Sequence, residues 1–175
     1  MKITVSDARV KDVEGLQEVF YRTWLATYPN KEHGITVDDI EERFKDRHSG
    51  ERLNDRRAAI ATLDENNKYL VAKDDDTVVG LCRLTKHEME NRVTALYVLP
   101  EYQGKGVGTA LWSEALNFFD RSKDIVVNVA TYNQKAINFY TKLGFKDMGR
   151  RSTDERRRMK SGSILPEMEM RIIAL

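Results

Sequence analysis

Apolar and polar positions along this chain change period more than once. Residues 2–6, KITVS, alternate as a strand does. Val13, Leu16, Val19, Phe20 and Trp24 then follow helical spacing, with Asp12 placed to cap the helix and Pro29 to stop it. TVDDIEERFKDRH, opened by Thr36, repeats the helical period through Val37, Ile40 and Phe44, and a charged stretch to about Leu63 predicts a further helix. From Tyr69 the period shortens. YLVAKDDDTVVGLCRLTKHE reads as two strands around an Asp-rich turn, and NRVTALYVLP as a third strand stopped at Pro100. VGTALWSEALNFFDRS is helical, DIVVNVA is a wholly apolar strand, and NQKAINFYTKLGF is a helix with Asn133 as its cap and Gly144 at its end. FKDMGRR and PEMEMRII alternate again, and the basic segment 151–163 between them is expected to be a solvated loop. The order is one strand, two or three helices, three strands, helix, strand, helix, two strands. Helical crossovers beside hairpins imply an α/β (α+β) fold with a mixed central sheet flanked by helices.

The length of 175 residues suits one domain spanning 1–175, and no repeat or linker marks a boundary. With 41% hydrophobic and 33% charged residues the chain has the makings of a folded core. A formal net charge of +1 gives no global reason to expect nucleic acid or an anionic membrane. Cys82 has no second cysteine to pair with, and MKITVSDARVKD lacks an apolar leader region, so a reducing cytoplasm is the expected setting.

The chemistry gathers around LYVLPEYQGKGVGTALW, residues 96–112, which reads as strand, glycine-rich turn and helix start. A P-loop needs a glycine five positions before Gly104, where Leu99 stands. The dinucleotide fingerprint needs G-x-G-x-x-G, and Gly104, Gly106 and Gly108 are one residue short of it. What remains is a nest of backbone N–H groups from Gln103 to Thr109, running through Gly104, Lys105, Gly106, Val107 and Gly108 into a helix N-terminus. Such a nest suits a pyrophosphate.

Gln103-x-x-Gly106-x-Gly108, preceded by LYVLPEY and followed by ALW, resembles the acyl-CoA-binding motif of the GNAT superfamily of N-acyltransferases. NVATYNQKAINFYTKLGFKDMG resembles the next block of that family, and the two blocks span residues 92–149. The resemblance implies a mostly antiparallel GNAT-like sheet and acetyl-CoA as cosubstrate. It implies that the Gln103–Thr109 backbone holds the pyrophosphate, and that Leu96, Tyr97 and Val98 pair with the pantetheine arm where two parallel strands part. It also implies that Asn133 holds the pantetheine and that Tyr140 stands near the sulfur.

Transfer to an amine requires a free amine, a stabilised oxyanion and a proton for the departing thiolate. An alkyl ammonium titrates at about 10.4 and a thiol at about 8.5, so a base and an acid both help. Tyr140 is the expected acid; it lies two helical turns from Asn133, on one face, with Ala136 and Ile137 between them as a floor. Strand N–H groups near Tyr97 and Val98 are candidates to face the oxyanion. Glu88 and Glu90, at the turn before that strand, are the candidate bases. No Cys, His or carboxylate pair has metal-ligand spacing, and no metal is expected.

In FYRTWLATYPNKEHG, Trp24 and Tyr28 are i, i+4 on one helix face and are the candidate acceptor contacts. Asp38, Asp39, Glu41 and Glu42 tilt the acceptor towards a small cation, such as a polyamine or an aminoglycoside-type antibiotic. The expected function is therefore N-acetylation of a small-molecule primary amine by direct attack. The alternatives are an acyl-CoA sensor without turnover, or a transferase acting on protein N-termini or lysines. A homodimer is left open.

Overall fold

The structure, a computed structural model, describes residues 2–174, the side chain at position 156 excepted. Among the described residues seven strands form one sheet. The elements are β1 (Ile3–Asp7), α1 (Val13–Thr27), α2 (Val37–Arg43), α3 (Gly50–Ala61), β2 (Asn67–Asp74), β3 (Thr77–Lys86) and β4 (Glu90–Val98). There follow α4 (Val107–Phe118), β5 (Asp124–Ala130), α5 (Gln134–Lys142), β6 (Lys146–Arg158) and β7 (Ile164–Ile172). The strand order is β1-β2-β3-β4-β5-β7-β6. Every neighbouring pair is antiparallel except β4–β5, the parallel pair that needs a crossover, and α4 supplies it.

The helical periods found in the sequence become the buried stripes. Val13, Leu16, Val19, Phe20 and Trp24 of α1 are all buried, and Phe20 meets Tyr97 of β4 edge to face. On the opposite face of the sheet, Val107 and Leu111 of α4 press against β3 at Gly80, where a Cβ would crowd both side chains at 3.3 Å. α2 opens with a reciprocal cap: Thr36 Oγ1 accepts from the Asp39 N–H at 3.1 Å and Asp39 Oδ2 accepts from the Thr36 N–H at 2.8 Å. That helix, expected to reach His48, ends at Arg43, where the Phe44 N–H is shared between the carbonyls of Ile40 and Glu41 and the chain tightens into turns. α5 ends as expected: Gly144, at φ +96°, lets the Phe145 N–H return to the Tyr140 carbonyl.

Two local expectations need correction. Asp12 stands at the head of α1, but its side chain does not cap it. The buried carboxylate accepts from the Arg9 N–H at 2.9 Å and pairs with Lys73 at 2.5 Å, because a charge at 4% exposure needs a cation more than the helix needs a cap. The basic segment is not a loop over 151–163. β6 continues through it to Arg158, in broken register with β7, and Arg157 turns inward onto Glu167. Among the described residues no helix is long and apolar enough to cross a membrane.

Candidate active site

The site begins with a parting of strands. β4 and β5 are paired from Glu90↔Asp124 to Val93↔Val127 and no further, although β4 runs on to Val98 and β5 to Ala130. The cause lies on the other side of β4. Val93 pairs with Leu84 of β3 and Ala95 with Arg83, so Thr94 is an extra residue, a bulge that bends β4 just where it leaves β5. Leu96, Tyr97 and Val98 therefore keep one edge of backbone groups free of β5. An extended ligand arm can add to such an edge as a strand would.

β4 leads through a short 3₁₀ turn, Pro100–Tyr102, into the glycine turn. Gly104 and Gly106 have φ of +75° and +83°, and a Cβ at either would meet nothing within 4 Å. The turn thus presents open backbone in a conformation other residues resist, at the N-terminus of α4. This observation fits a pyrophosphate. Gly108 serves packing instead. A Cβ there would sit 3.3 Å from the Phe139 ring, so its absence lets α4 approach α5. Gln103 donates its side-chain amide to the Val98 carbonyl at 3.0 Å and ties the turn to the end of β4. Lys105 lies over the Tyr102 ring, Val107 is buried, and the Thr109 carbonyl accepts from the Ser113 hydroxyl.

Tyr140 is buried on α5, edge to face with Phe139 and Phe145. Burial drives its pKa far up, with Cys82 and Tyr97 as its electrostatic neighbours, so the phenol holds its proton throughout the working range. Asn133 caps α5, its Oδ1 accepting from the Ala136 N–H at 3.1 Å, which leaves its amide N–H groups to donate elsewhere. Cys82 is a buried core thiol whose pKa burial raises.

Beyond the other face of β4 lies a tyrosine pair. The hydroxyls of Tyr28 and Tyr97 are 3.4 Å apart, and the Tyr132 hydroxyl donates to the Tyr28 carbonyl at 2.7 Å. Trp24 packs edge to face on Tyr28 and lies beneath Arg43 at 4.8 Å; both rings are buried, at 6% exposure, so they form the floor of this region rather than an open contact surface. Glu167 of β7, 2% exposed, is held by Arg157 at 2.6 Å. Burial raises its pKa, against the lowering effect of Arg157, and its field reaches Tyr28. Nothing in PEMEM distinguished this buried carboxylate from a solvated strand residue. Hollows of about 420 and 520 Å³ open beside Arg43 and beside Asn128, and neither is lined by Tyr140 or the glycine turn; the donor chemistry sits in the parted strands instead.

The structure does not bring the expected bases here. Glu90 lies at the paired end of β4, roughly 20 Å of extended strand from Tyr97. It accepts from Arg92 at 2.7 Å and Arg171 at 3.0 Å, and Arg171 also binds Asp124 at 3.0 Å, so this carboxylate clamps β4, β5 and β7 together. Glu88 is exposed at the same end. The acidic run of α2 is largely committed too: Asp39 to Thr36 and Ser161, Glu41 to the Tyr21 hydroxyl at 2.6 Å, and Glu42 to Lys45 at 2.6 Å, while Asp38 points to solvent.

Comparison with known proteins agrees with this geometry. A model described as the acetyltransferase (GNAT) family matches residues 20–145. The chain is 26% identical over 157 residues to the peptidyl-lysine N-acetyltransferase YjaB of Escherichia coli, a match covering 89% of this chain and 90% of that protein. It is 29% identical over 150 residues to the spermidine N(1)-acetyltransferase of Thermoplasma acidophilum, covering 83% and 89%. The crystal structure of the PaiA N-acetyltransferase of Thermoplasma acidophilum in complex with coenzyme A superposes with a TM-score of 0.71 at 26% identity, covering 97% of this chain and 98% of that one. The chain belongs to the acetyltransferase (GNAT) family and is an acyl-CoA-dependent N-acyltransferase.

Proposed function

We propose that the chain transfers an acetyl group from acetyl-CoA to a primary amine by direct attack, without a covalent enzyme intermediate. The observation that carries this is the parting of β4 from β5 beyond Val93↔Val127, continuous with the open glycine turn at the head of α4. The free edge at Leu96, Tyr97 and Val98 pairs with the pantetheine arm, with Asn133 and Ala136 beside it, and the backbone from Gln103 to Thr109 holds the pyrophosphate. The amine nitrogen forms its bond to the carbonyl carbon as the carbon–sulfur bond breaks. Tyr140, kept protonated by burial, returns a proton to the thiolate. In place of Glu88 and Glu90, the receiver of the proton leaving the amine is Glu167, the buried carboxylate whose field reaches Tyr28. The relatives named for spermidine and peptidyl-lysine acetylation, with the N-alpha-acetyltransferase RimI of Mycobacterium tuberculosis (32% identical over 90 residues, 49% of this chain and 56% of that protein), support the amine class without narrowing it.

Release of free CoA thiol from acetyl-CoA, across amino acids, polyamines, aminoglycosides and a lysine peptide, tests this. Release above background with at least one amine is expected, with acetyl-CoA raising the melting temperature. No thermal shift with acetyl-CoA would overturn the assignment of the glycine turn. A shift without turnover by any amine would favour a sensor.

A further inference from the structure

Five arginines run in a band across the face of the sheet that carries Tyr97: Arg83 on β3, Arg56 and Arg52 one turn apart on α3, Arg43 at the end of α2, and Arg157 on β6. Each feels the field of the next. Arg157 is neutralised by Glu167. Among the described residues the other four are in none of the ion pairs found, and Arg43 also feels the field of Asp154. Like charges so arranged repel, and Arg43 and Arg56 are pulled below the ordinary arginine range, first by burial and then by their arginine neighbours. Arg43 is open to solvent yet stands in a concavity dense with protein atoms, which is how an open side chain comes to be desolvated.

Three of the four rest on rings: Arg43 on Trp24 at 4.8 Å, Arg56 on Phe20 at 4.8 Å and Arg83 on Tyr69 at 5.6 Å. A guanidinium stacked on a ring is held as a planar fork with its N–H edge free, the shape that matches a carboxylate or phosphate. Among them three polar atoms are buried without a partner, Trp24 Nε1 under Arg43, the Tyr69 hydroxyl and Arg56 Nε. All three can donate, and a buried donor without an acceptor is costly. Tyr69 lies within the field of Arg56, Arg83 and Tyr97, so the orphaned donors, the free forks and the tyrosine at the parted strands belong to one neighbourhood. Asp39, Glu41 and Glu42 of α2 make their hydrogen bonds and ion pairs with other groups, though Asp39 and Glu42 share the hollow beside Arg43, so the band is least offset at Arg56 and Arg83.

We propose that the acceptor amine carries an oxyanionic group, a carboxylate or a phosphate, seated between Arg56 and Arg83 above the Tyr69 hydroxyl, with Arg52 and Arg43 as the cationic wall that leads to Tyr97. This rests on the transferase function proposed above and narrows it: the favoured acceptor is an amino acid, a peptide or an aminoalkyl phosphate rather than a polyamine.

The test uses matched acceptors with acetyl-CoA: an amino acid against its amide and its decarboxylated amine, phosphoethanolamine against ethanolamine, and spermidine. The oxyanionic member of a pair is expected to exceed its neutral partner at least tenfold in kcat/KM, through KM, and the two pairs tell carboxylate from phosphate. Arg83→Gln and Arg56→Gln should each lose at least tenfold more on the anionic member than on the neutral one, with melting temperatures recorded beside them. Equal rates within both pairs, or a preference for spermidine, would overturn the proposal. Calorimetry of the CoA-saturated protein with the same pairs separates the two claims. Should no amine be turned over, tighter binding of the oxyanionic member sustains the seat while transfer fails, and equal or absent binding overturns the seat as well.

Discussion

The two faces of the sheet offer different means of recognition. Towards α4 and α5 the site is made of backbone and absence: a free strand edge, two glycines at positive φ with open space, and a helix end. Towards α1, α2 and α3 it is made of side chains, with tyrosines, stacked arginines and one buried ion pair drawn from helices and strands far apart in the chain. The first face suits a ligand part that is constant, since backbone N–H groups read only an anion and an extended arm. The second can be altered one side chain at a time, which suits an acceptor that differs among relatives named for spermidine, peptidyl-lysine and N-alpha acetylation.

The contrast is broken most severely at Tyr140. Tyr140→Phe should lower kcat by about 10² or more while affinity for CoA, measured by calorimetry, stays within about twofold. An equal loss in CoA affinity would make the phenol part of the binding surface instead. On the other face, Glu167→Gln leaves Arg157 without its charged partner but also removes a carboxylate whose ionised form burial disfavours, so the stability change near neutral pH should stay within about 1–2 kcal/mol. For a chain of this size that is a shift of at most about 4–8 °C in melting temperature. Its pH dependence has a definite sign. Burial raises the Glu167 pKa in the folded state, so the stability tied to its proton is full below the ordinary carboxylate range and is lost as pH rises through the folded pKa. Stability curves of the native chain and Glu167→Gln should therefore diverge in slope above about pH 4 to 5; parallel curves would remove Glu167 from that role. Gly106→Ala is milder. The backbone there has φ +83°, in the left-handed region. A Cβ in that conformation adds strain of about 1–2 kcal/mol. The new methyl also stands where an anion would approach, so KM for acetyl-CoA should rise about tenfold with kcat little changed. The smallest effect is expected from Gln103→Ala, which removes one exposed hydrogen bond to Val98. A few-fold rise in the same KM should follow, with a stability change within about 0.5–1 kcal/mol.

The same contrast explains what was legible in the sequence. The strand and helix order, the cap at Asn133, the stop at Gly144 and the glycine turn all follow from local periods and from residues with special backbone properties. The face proposed for the acceptor could not be found that way. Arg56, Arg83 and Glu167 are ordinary residues on ordinary elements, and they acquire a role only when β3, α3 and β7 are brought together. Glu88 and Glu90 misled for a related reason: they are near Tyr97 along the chain but at the other end of the strand in space. The run 151–158 looked like a solvated loop because its charges hide an alternation whose inward member, Arg157, needed a carboxylate from the partner strand.

The extra residue at Thr94 does more than bend β4. Side chains of a strand alternate between faces, so an insertion reverses their parity for everything downstream. Thr85, Arg83 and Leu81 of β3 point one way, and across from them stand Arg92, Ala95 and Tyr97. Counted without the bulge, Arg92 would share its face with Leu96, and Tyr97 would point to the side of α4 and α5. One residue of chain length therefore sorts which side chains of β4 face α4 and α5 and which face α1. Deleting Thr94 would keep Leu96 towards Gly108 and Tyr97 towards Tyr28 and remove only the bend, whereas filling the position as an ordinary paired residue would exchange the two faces.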